Sequence, residues 1–175
     1  MPPRNILLIG YRGTGKTTVA RLVADPLGWN RVDSDVALAA RHGRSIKDIF
    51  AHEGEAAFRD KEAQVLADLC KLDRQVIATG GGAILRPENR VLLRQAGLVV
   101  WLKADSQTIH ARLQHDPTSA ESRPALTCHD ALEEIEQLLA ARAPLYQSTA
   151  HLEIDTTGLD PEDVARAILK HMEAN

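Results

Sequence analysis

The chain of 175 residues is 44% hydrophobic and 26% charged, which predicts an ordinary globular protein with a single domain spanning residues 1–175. Because 21 lysines and arginines are balanced by 24 aspartates and glutamates, the net charge of −3 gives no general attraction for nucleic acid. Every apolar run is far shorter than the roughly 20 residues that cross a bilayer. We therefore expect a protein that binds neither nucleic acid nor membrane. The two cysteines, Cys70 and Cys128, form no C-x-x-C pair and no secretory h-region is recognisable, so we expect a cytoplasmic protein.

Short apolar runs alternate with segments of helical periodicity along the chain. Asn5–Gly10 holds four consecutive apolar residues and ends in glycine, as expected for a strand buried on both faces. The helical segments have apolar residues three and four positions apart. In chain order, the predicted elements are the strand Asn5–Gly10, a helix from Lys16, the short strand Arg31–Asp35, the helix Glu53–Cys70, the strands Gln75–Thr79 and Leu98–Leu102, the helices Asp105–Leu113 and Asp130–Ala143, the strand His151–Asp155 and a last helix that begins at Asp160 and Pro161.

This alternation of strands and helices predicts an α/β fold with a mostly parallel sheet. Asp105 and Asp160 are expected at the N-caps of their helices, and Asp130 with Glu133 resembles a capping box. About residues 114–127, the chain is polar, contains Ser and Pro and has no apolar stripe. Irregular stretches of this length are usually lids or disordered segments, and we expect a mobile lid here.

Gly10–Thr17 reads G-x-x-x-x-G-K-T between a predicted strand and a predicted helix, which is the pattern of a phosphate-binding P-loop. The glycines let backbone N–H groups turn toward a phosphate, and the helix N-terminus adds partial positive charge. Lys16 can reach the β- and γ-phosphates, and Thr17 can offer a hydroxyl to Mg²⁺. The motif therefore predicts a nucleoside triphosphate as ligand, the alternative being a glycine-rich turn with a surface lysine.

Two other classes of P-loop protein lack support in the sequence. A GTPase would carry N-K-x-D, which is absent, and its D-x-x-G is matched only by Asp25–Gly28 at the end of the first predicted helix. An ATPase motor would close an apolar strand with an acidic residue, but the strand at Val76 ends in Thr79–Gly82. Neither class is favoured.

Asp33 and Asp35 lie at the end of the predicted second strand, separated by one residue. Because side chains repeat every two residues along a strand, we expect both carboxylates on the same side. Near a P-loop, one carboxylate can hold Mg²⁺ through water while the other accepts a hydrogen bond from the hydroxyl of a phosphoryl acceptor. For an isolated D-x-D motif, a capped turn before the next helix is the simpler interpretation.

Three charged residues lie on or beside the apolar faces of predicted helices. Arg59 and Glu62 are three residues apart, and this pattern in isolation fits a surface ion pair. Arg142 continues an apolar stripe that contains Ile135 and Leu139, where a guanidinium must meet an anion. That anion is either a protein carboxylate or a ligand.

Six motifs stand in the order found in shikimate kinases, and this resemblance covers nearly the whole chain. The resemblance implies a P-loop, nucleoside-monophosphate-kinase-like fold with a central five-stranded parallel sheet flanked by helices and a mobile lid. It also implies transfer of the ATP γ-phosphate to the 3-hydroxyl of shikimate, in the route to chorismate and the aromatic amino acids. The motifs are the P-loop with Lys16, Thr17 and Thr18, the pair Asp33 and Asp35, Phe58-Arg59-x-x-Glu62, Thr79–Gly82, Ser122-Arg123-Pro124 and Arg142-x-x-x-Tyr146.

The same resemblance implies a monomer that binds ATP and shikimate. It also implies roles for individual residues. Lys16, Asp35 and Arg123 are the implied catalytic residues, with Asp35 on the accepting hydroxyl and Arg123 moving from the lid onto the phosphates. The implied metal site for Mg²⁺ is Thr17 and Asp33. The implied ATP-binding residues are Gly13, Thr14, Gly15, Lys16, Thr17, Thr18, Arg112 beside adenine, and Arg123. The implied shikimate-binding residues are Asp35, Arg59 and Arg142 on the carboxylate, and Gly80, Gly81 and Gly82 at the ring, where a side chain would collide.

These motifs divide the domain into a P-loop at 10–17, a substrate-binding region at about 33–62 and the lid at about 114–127. The lid departs from the family pattern, because it reads Arg-Pro-Ala-Leu where Arg-Pro-Leu-Leu is common and because the stretch between Arg112 and Arg123 is long. Two alternatives stay open. One is another small-metabolite kinase of the same fold, such as a gluconate or nucleotide kinase, and the other is a nucleotide-binding regulatory protein without turnover.

Overall fold

The computed structural model describes residues 3–115 and 131–174, which form five strands flanked by helices. The strands are β1 (Asn5–Ile9), β2 (Asn30–Asp33), β3 (Gln75–Ala78), β4 (Leu98–Lys103) and β5 (Leu152–Asp155). The helices are α1 (Lys16–Leu27), α2 (Ser34–His42), α3 (Ile46–Leu69), α4 (Pro87–Ala96), α5 (Ser106–Gln114), α6 (Ala131–Thr149) and α7 (Pro161–Glu173), with a 3₁₀ turn at Ala83–Leu85.

The strands form one parallel sheet in the order β2-β3-β1-β4-β5. The central strand β1 pairs with β3 on one side and with β4 on the other, so that Ile6 lies between Val76 and Leu98. This arrangement confirms the predicted α/β class and the five-stranded parallel sheet. None of the described helices is long and apolar enough to cross a membrane.

Both faces of the sheet are covered by apolar side chains from helices. On one face, Leu8 packs with Val23 of α1 and Ile168 of α7. On the other face, Leu7 packs with Leu66 of α3 and Tyr146 of α6. Since alternate residues of a strand point to opposite faces, β1 contributes to both layers and is fully buried, as its continuous apolar run predicted.

The second strand is shorter than predicted, because the segment Arg31–Asp35 changes from strand to helix after Asp33. The Asp33 carboxylate accepts hydrogen bonds from the backbone N–H groups of Asp35 (3.0 Å) and Val36 (3.3 Å) and so caps α2. Asp35 lies in the first turn of that helix. The expectation that both carboxylates project from one strand is therefore wrong, and the capped turn describes the local backbone correctly.

Two helices, α2 and α4, were not predicted, and α3 begins earlier than the predicted Glu53. It begins at Ile46, where the hydroxyl of Ser45 accepts a hydrogen bond from the backbone N–H of Asp48 at 3.0 Å. The helical pattern is interrupted at Gly54, whose φ of 81° and ψ of 173° are not helical. This break lies one residue from the predicted helix start, so the apolar periodicity identified only the part of α3 that follows it.

Helix α6 extends past its predicted end at Ala143, through Pro144, to Thr149. Proline removes one backbone hydrogen bond from the helix interior, which normally favours a helix end. Here the following turn is held by burial of Tyr146 and Thr149, and the Thr149 hydroxyl donates to the Leu145 carbonyl at 2.6 Å. Tertiary packing therefore overrides the local signal.

The other helix ends follow the predictions closely. Helix α1 begins at Lys16, and Asp105 caps α5 by accepting a hydrogen bond from the Thr108 N–H at 2.6 Å. Asp160 and Pro161 occupy the N-cap and first position of α7. Gln114 belongs to α5 rather than to the predicted lid. The rest of the predicted lid, with Arg123, and the predicted cap Asp130 lie outside the described residues.

Candidate active site

The candidate site lies at the carboxyl ends of β2, β3 and β1, which are neighbours in the sheet. Each of these strands is followed by one of the predicted motifs: Asp33 closes β2, Thr79–Gly82 follows β3, and Gly10–Thr17 follows β1. Ligands of open parallel sheets bind outside these strand ends. The sheet order therefore brings together motifs that are far apart in the chain.

The P-loop has the strand–loop–helix geometry that its sequence predicts. Gly15 precedes α1 with φ of 90°, a left-handed conformation that glycine adopts without a steric penalty. Lys16 is buried, and its Nζ donates to the carbonyls of Gly10 and Tyr11, both at 2.8 Å. The Thr14 hydroxyl also donates to Tyr11, at 2.8 Å. The lysine ammonium is thereby held inside the loop it belongs to.

Thr17 and Asp33 are brought together at the start of α1. The Thr17 hydroxyl donates to Asp33 Oδ2 at 2.9 Å, while Asp33 Oδ1 caps α2. A hydroxyl and a carboxylate oxygen at this distance are the oxygen ligands that Mg²⁺ prefers. Among residues 3–115 and 131–174, no group of three or more His, Cys, Asp or Glu side chains could hold a metal without help. A metal at Thr17 and Asp33 would therefore share its coordination with phosphate and water oxygens, as Mg²⁺ commonly does.

Asp35 points to a different partner, the loop that follows β3. A Cβ added to Gly80 would lie 2.6 Å from Asp35 Oδ1, so the Gly80 backbone lies directly against this carboxylate. The neighbouring Ser34 hydroxyl accepts a hydrogen bond from the Gly80 N–H at 3.1 Å. The two carboxylates thus face different regions, Asp33 toward Thr17 and Asp35 toward the glycine loop, which we define as Gly80–Gly82.

Arg59 and Glu62 form an ion pair inside the protein, which contradicts the interpretation as a surface pair. Their exposed fractions are 7% and 1%, and Arg59 Nη1 donates to Glu62 Oε2 at 2.7 Å. Arg59 Nη2 meets the exposed Glu55 at 3.3 Å, and its guanidinium lies 5.1 Å from the centre of the Phe58 ring. The buried Arg59 Nε has no hydrogen-bond partner among the described residues, so the guanidinium keeps a donor for another acceptor.

Arg59 also reaches the glycine loop. A Cβ at Gly82 would lie less than 3.0 Å from its guanidinium, so any larger residue there would displace the arginine. Gly81 approaches the P-loop in the same way, because a Cβ there would lie 3.4 Å from the Arg12 backbone nitrogen and 3.7 Å from Tyr11 Cα. The loop is therefore enclosed by the α3 arginine and the P-loop.

Arg142 lies half-buried on α6, with its guanidinium 5.8 Å from the centre of the Tyr11 ring. No carboxylate of the described residues is within ion-pair distance of this guanidinium. The anion that it is expected to meet must therefore come from a group outside these residues. One turn later on α6, the Tyr146 hydroxyl donates to the Gly81 carbonyl at 2.5 Å. Arg142 therefore lies over Tyr11, whose Cα is close to Gly81, and on the helix whose Tyr146 bonds to the glycine loop.

Arg112 of α5 joins the P-loop to the segment after β5. Its Nη1 donates to the Gly13 carbonyl (3.3 Å) and the Thr156 hydroxyl (3.1 Å), and its Nη2 donates to the Thr156 carbonyl at 3.0 Å. At the N-terminus of the same helix, the backbone hydrogen bond from Thr108 lowers the pKa of the Asp105 carboxyl. Arg112 is thus fixed at the edge of the P-loop, whereas Arg123 is not among the described residues.

Sequence reasoning missed two groups that hold the site together, the hydroxyls of Ser34 and Tyr146. Both residues occur inside motifs that were recognised, Asp33-Ser34-Asp35 and Arg142-x-x-x-Tyr146. Their buried positions and their bonds to the glycine loop depend on contacts between distant segments. In the sequence, the only sign of this role was that each motif contains a residue with a hydroxyl side chain.

Comparison with protein families gives one match over most of the chain. The family model described as shikimate kinase matches residues 12–173. A shikimate kinase from Symbiobacterium thermophilum is 44% identical over 169 residues, which is 97% of this chain and 96% of the relative. A shikimate kinase from Thermodesulfovibrio yellowstonii is 43% identical over 170 residues, with 97% and 95% covered.

Solved structures show the same similarity. The shikimate kinase of Acinetobacter baumannii, solved in complex with shikimate, has a TM-score of 0.91 and 38% identity and covers 100% of this chain and 94% of that chain. The shikimate kinase of Aquifex aeolicus has a TM-score of 0.81 and 32% identity, with 98% and 97% covered. A gluconokinase from Sinorhizobium meliloti has a TM-score of 0.57 at 15% identity, which shows a shared fold alone.

Proposed function

The chain belongs to the shikimate kinase family, and we propose that it transfers the γ-phosphate of ATP to the 3-hydroxyl of shikimate, giving shikimate 3-phosphate and ADP. The observation that carries this proposal is the set of charges around the glycine loop. The Asp35 carboxylate lies at Gly80, and the Arg59 guanidinium lies at Gly82. The Arg142 guanidinium lies over the ring of Tyr11, whose Cα is close to Gly81. A small acceptor with a hydroxyl at one end and a carboxylate at the other fits these charges.

On the nucleotide side, the backbone N–H groups of Gly13, Thr14 and Gly15 and the N-terminus of α1 would bind the phosphates. Lys16, Thr17 and Thr18 follow directly at the first turn of that helix. Arg112, held between Gly13 and Thr156 at the edge of the P-loop, would contact the adenine base. The role of Arg123 on the phosphates rests on the family resemblance.

Thr17 and Asp33 suit Mg²⁺, since their oxygens lie 2.9 Å apart at the edge of the P-loop. When bound with ATP, the metal would neutralise phosphate charge. The protein groups act beside it. Lys16 would leave its two carbonyl partners for the phosphate oxygens, where charge develops during transfer, and Arg123 would add a second cation.

On the acceptor side, Asp35 would accept a hydrogen bond from the 3-hydroxyl and take its proton as the bond to phosphorus forms. Arg59 Nε and Arg142 would donate to the acceptor carboxylate. The glycine loop would meet the ring at close distance, because side chains at Gly80 and Gly82 are excluded by Asp35 and Arg59. Positioning and electrostatic stabilisation are the main contributions that a protein makes to phosphoryl transfer.

The experiment that tests this function measures ADP release from ATP and Mg²⁺ with shikimate, with gluconate, with nucleoside monophosphates and with no acceptor. We expect release that depends on shikimate and a phosphate monoester product visible by phosphorus NMR. Turnover on gluconate or a nucleoside monophosphate instead would identify a different kinase of the same fold. ATP binding without any acceptor-dependent release would indicate a regulatory protein.

A further inference from the structure

Two hydroxyl groups from different helices hold the backbone of the glycine loop. The Ser34 hydroxyl at the start of α2 accepts a hydrogen bond from the Gly80 N–H at 3.1 Å. The Tyr146 hydroxyl on α6 donates to the Gly81 carbonyl at 2.5 Å. Both side chains are at most 2% exposed, so water is poorly placed to replace either bond.

Each hydroxyl belongs to a residue that is close in sequence to a residue of the proposed acceptor site. Ser34 is the neighbour of Asp35, and Tyr146 lies one helical turn after Arg142. The loop between them has little freedom, because Gly80 already lies against the Asp35 carboxylate and Gly82 against the Arg59 guanidinium. A shift of the loop by a fraction of an ångström would therefore change its distance to both charged ends of the site.

We propose that Ser34 and Tyr146 are positioning residues of the acceptor site, whose hydroxyls fix the glycine loop relative to Asp35 and Arg142. The proposal rests on the proposed function, because it assumes a small rigid acceptor held between these two residues. The ring of such an acceptor would contact the loop backbone on one face. Any displacement of the loop would therefore move the reacting hydroxyl of the acceptor. A misplacement of about 1 Å can lower a rate by about 10².

The test removes each hydroxyl alone, in Ser34→Ala and Tyr146→Phe. The phenylalanine keeps the stack of Tyr146 on Trp101, whose ring centres are 5.5 Å apart. The matched control is Thr149→Val, which removes the hydroxyl of a buried residue on α6 that donates to Leu145 of the same helix rather than to the loop. Ser34→Thr restores a hydroxyl at position 34.

In ADP-release kinetics, we expect Ser34→Ala and Tyr146→Phe to lower kcat/KM for shikimate by about 10- to 100-fold while the KM for ATP is unchanged. Thr149→Val should lower the melting temperature but keep both KM values, and Ser34→Thr should recover most of the acceptor effect. If the two test variants lose stability like Thr149→Val yet keep wild-type kinetics, the hydroxyls are structural and the proposal is wrong. Should Ser34→Ala fail to fold, Tyr146→Phe decides alone.

Amide hydrogen exchange separates this proposal from the proposed function. The Gly80 amide should exchange faster in Ser34→Ala than in the wild type or in Thr149→Val, since the hydroxyl that protects it is gone. Unchanged protection would overturn the proposal whatever the enzyme's activity. Absence of shikimate-dependent ADP release by the wild type would overturn the proposed function, and faster Gly80 exchange would then still show that Ser34 holds the loop.

Discussion

Inside the P-loop, the lysine and threonine side chains make short-range hydrogen bonds, and Arg112 adds one long-range bond to Gly13, whereas the glycine loop on the proposed acceptor side is held by long-range bonds. Thr14 and Lys16 bond to carbonyls three to six residues away. Ser34 and Tyr146 bond to the glycine loop across 46 and 65 residues. The P-loop is therefore shaped mainly by its own strand and helix, with Arg112 of α5 and Asp33 at its edge, while the proposed acceptor side exists only when α2, α3, α6 and the loop after β3 are packed together.

This difference indicates how each side should respond to substitution. Changes in the P-loop should affect chemistry with little effect on folding, because the loop is defined locally. Changes on the acceptor side should affect folding and acceptor binding together wherever the altered residue also joins two elements. Four substitutions, at Asp35, Arg59, Lys16 and Arg142, test this contrast with effects that decrease in that order, and a fifth at His151 probes a position outside the site.

Asp35→Asn should lower kcat by about 10²–10⁴, because the amide keeps the shape of the side chain but cannot take the hydroxyl proton. Asp33→Asn is the comparison, since its amide oxygen can still cap α2. We expect this second variant to require more Mg²⁺ for half-maximal activity. Initial rates at varied shikimate and Mg²⁺ measure both effects. If Asp33→Asn removed turnover and Asp35→Asn kept it, the two roles would be reversed.

Arg59→Ala should lower the free energy of unfolding by about 3–5 kcal/mol, because it leaves the Glu62 carboxylate buried without its guanidinium. Denaturant titration measures the loss. Replacing both members of the pair, in Arg59→Met with Glu62→Leu, should restore much of the stability without restoring activity on shikimate. A stable single variant would show that the buried Glu62 carboxylate does not depend on the Arg59 guanidinium.

Lys16→Met should lower kcat by about 10²–10³, since a donor at the phosphate is lost where charge grows in the transition state. The fold should survive, as measured by circular dichroism, because methionine suits a buried position on α1. Lys170→Met on helix α7, which packs on the same face of the sheet as α1, controls for loss of a positive charge. Unfolding of the Lys16 variant would contradict the locally defined P-loop.

Arg142→Ala should raise the KM for shikimate by roughly 30-fold, corresponding to about 2 kcal/mol, with little effect on the KM for ATP or on stability. The half-buried side chain contacts Tyr11 but has no carboxylate partner among residues 3–115 and 131–174, so its removal leaves no carboxylate of those residues buried without a cation. A shikimate analogue with an amide in place of the carboxylate refines the test. The variant should distinguish acid from amide far less than the wild type does, and full retention of the preference would place the carboxylate elsewhere.

His151 provides the smallest effect and lies outside both sides of the site. Burial lowers its pKa, helped by the nearby Arg94 cation, and the neutral ring accepts a hydrogen bond from the Val99 N–H at 3.0 Å. Below about pH 6.5, the unfolded chain therefore binds the proton more readily than the folded protein, and stability falls as the pH is lowered. Because the ring is largely exposed, we expect a melting temperature lower by only about 1–2 °C at pH 5.5 than at pH 7.5 from this residue.

The matched variant for this last effect is His151→Asn, whose amide oxygen can accept the same hydrogen bond but does not titrate. Its melting temperature should fall less than that of the wild type between the two pH values. Kinetic constants at pH 7.5 should be identical in the two proteins. An equal pH dependence in both proteins would contradict the role of His151.

Much of the framework was predictable because it is encoded in neighbouring residues. The buried strands at Ile6, Val76 and Val99, the start of α1 at Lys16 and the cap at Asp105 all follow from periodicity or from one side chain. The error at Asp33 shows the limit of this reasoning. A carboxylate after a short strand can continue the strand or cap a helix, and only the position of the following N–H groups distinguishes the two outcomes.

For this protein, the sequence by itself determined the P-loop, the parallel α/β architecture and a motif order that resembles one kinase family. It did not determine that Arg59 is buried with Glu62, that α6 continues through Pro144, or that Ser34 and Tyr146 hold the glycine loop. The physical reason is the range of the interactions. The side-chain hydrogen bonds of Thr14 and Lys16 in the P-loop join residues three to six positions apart, but the proposed acceptor site, built from four segments, acquires its distances and its low exposure only when the sheet order brings those segments together.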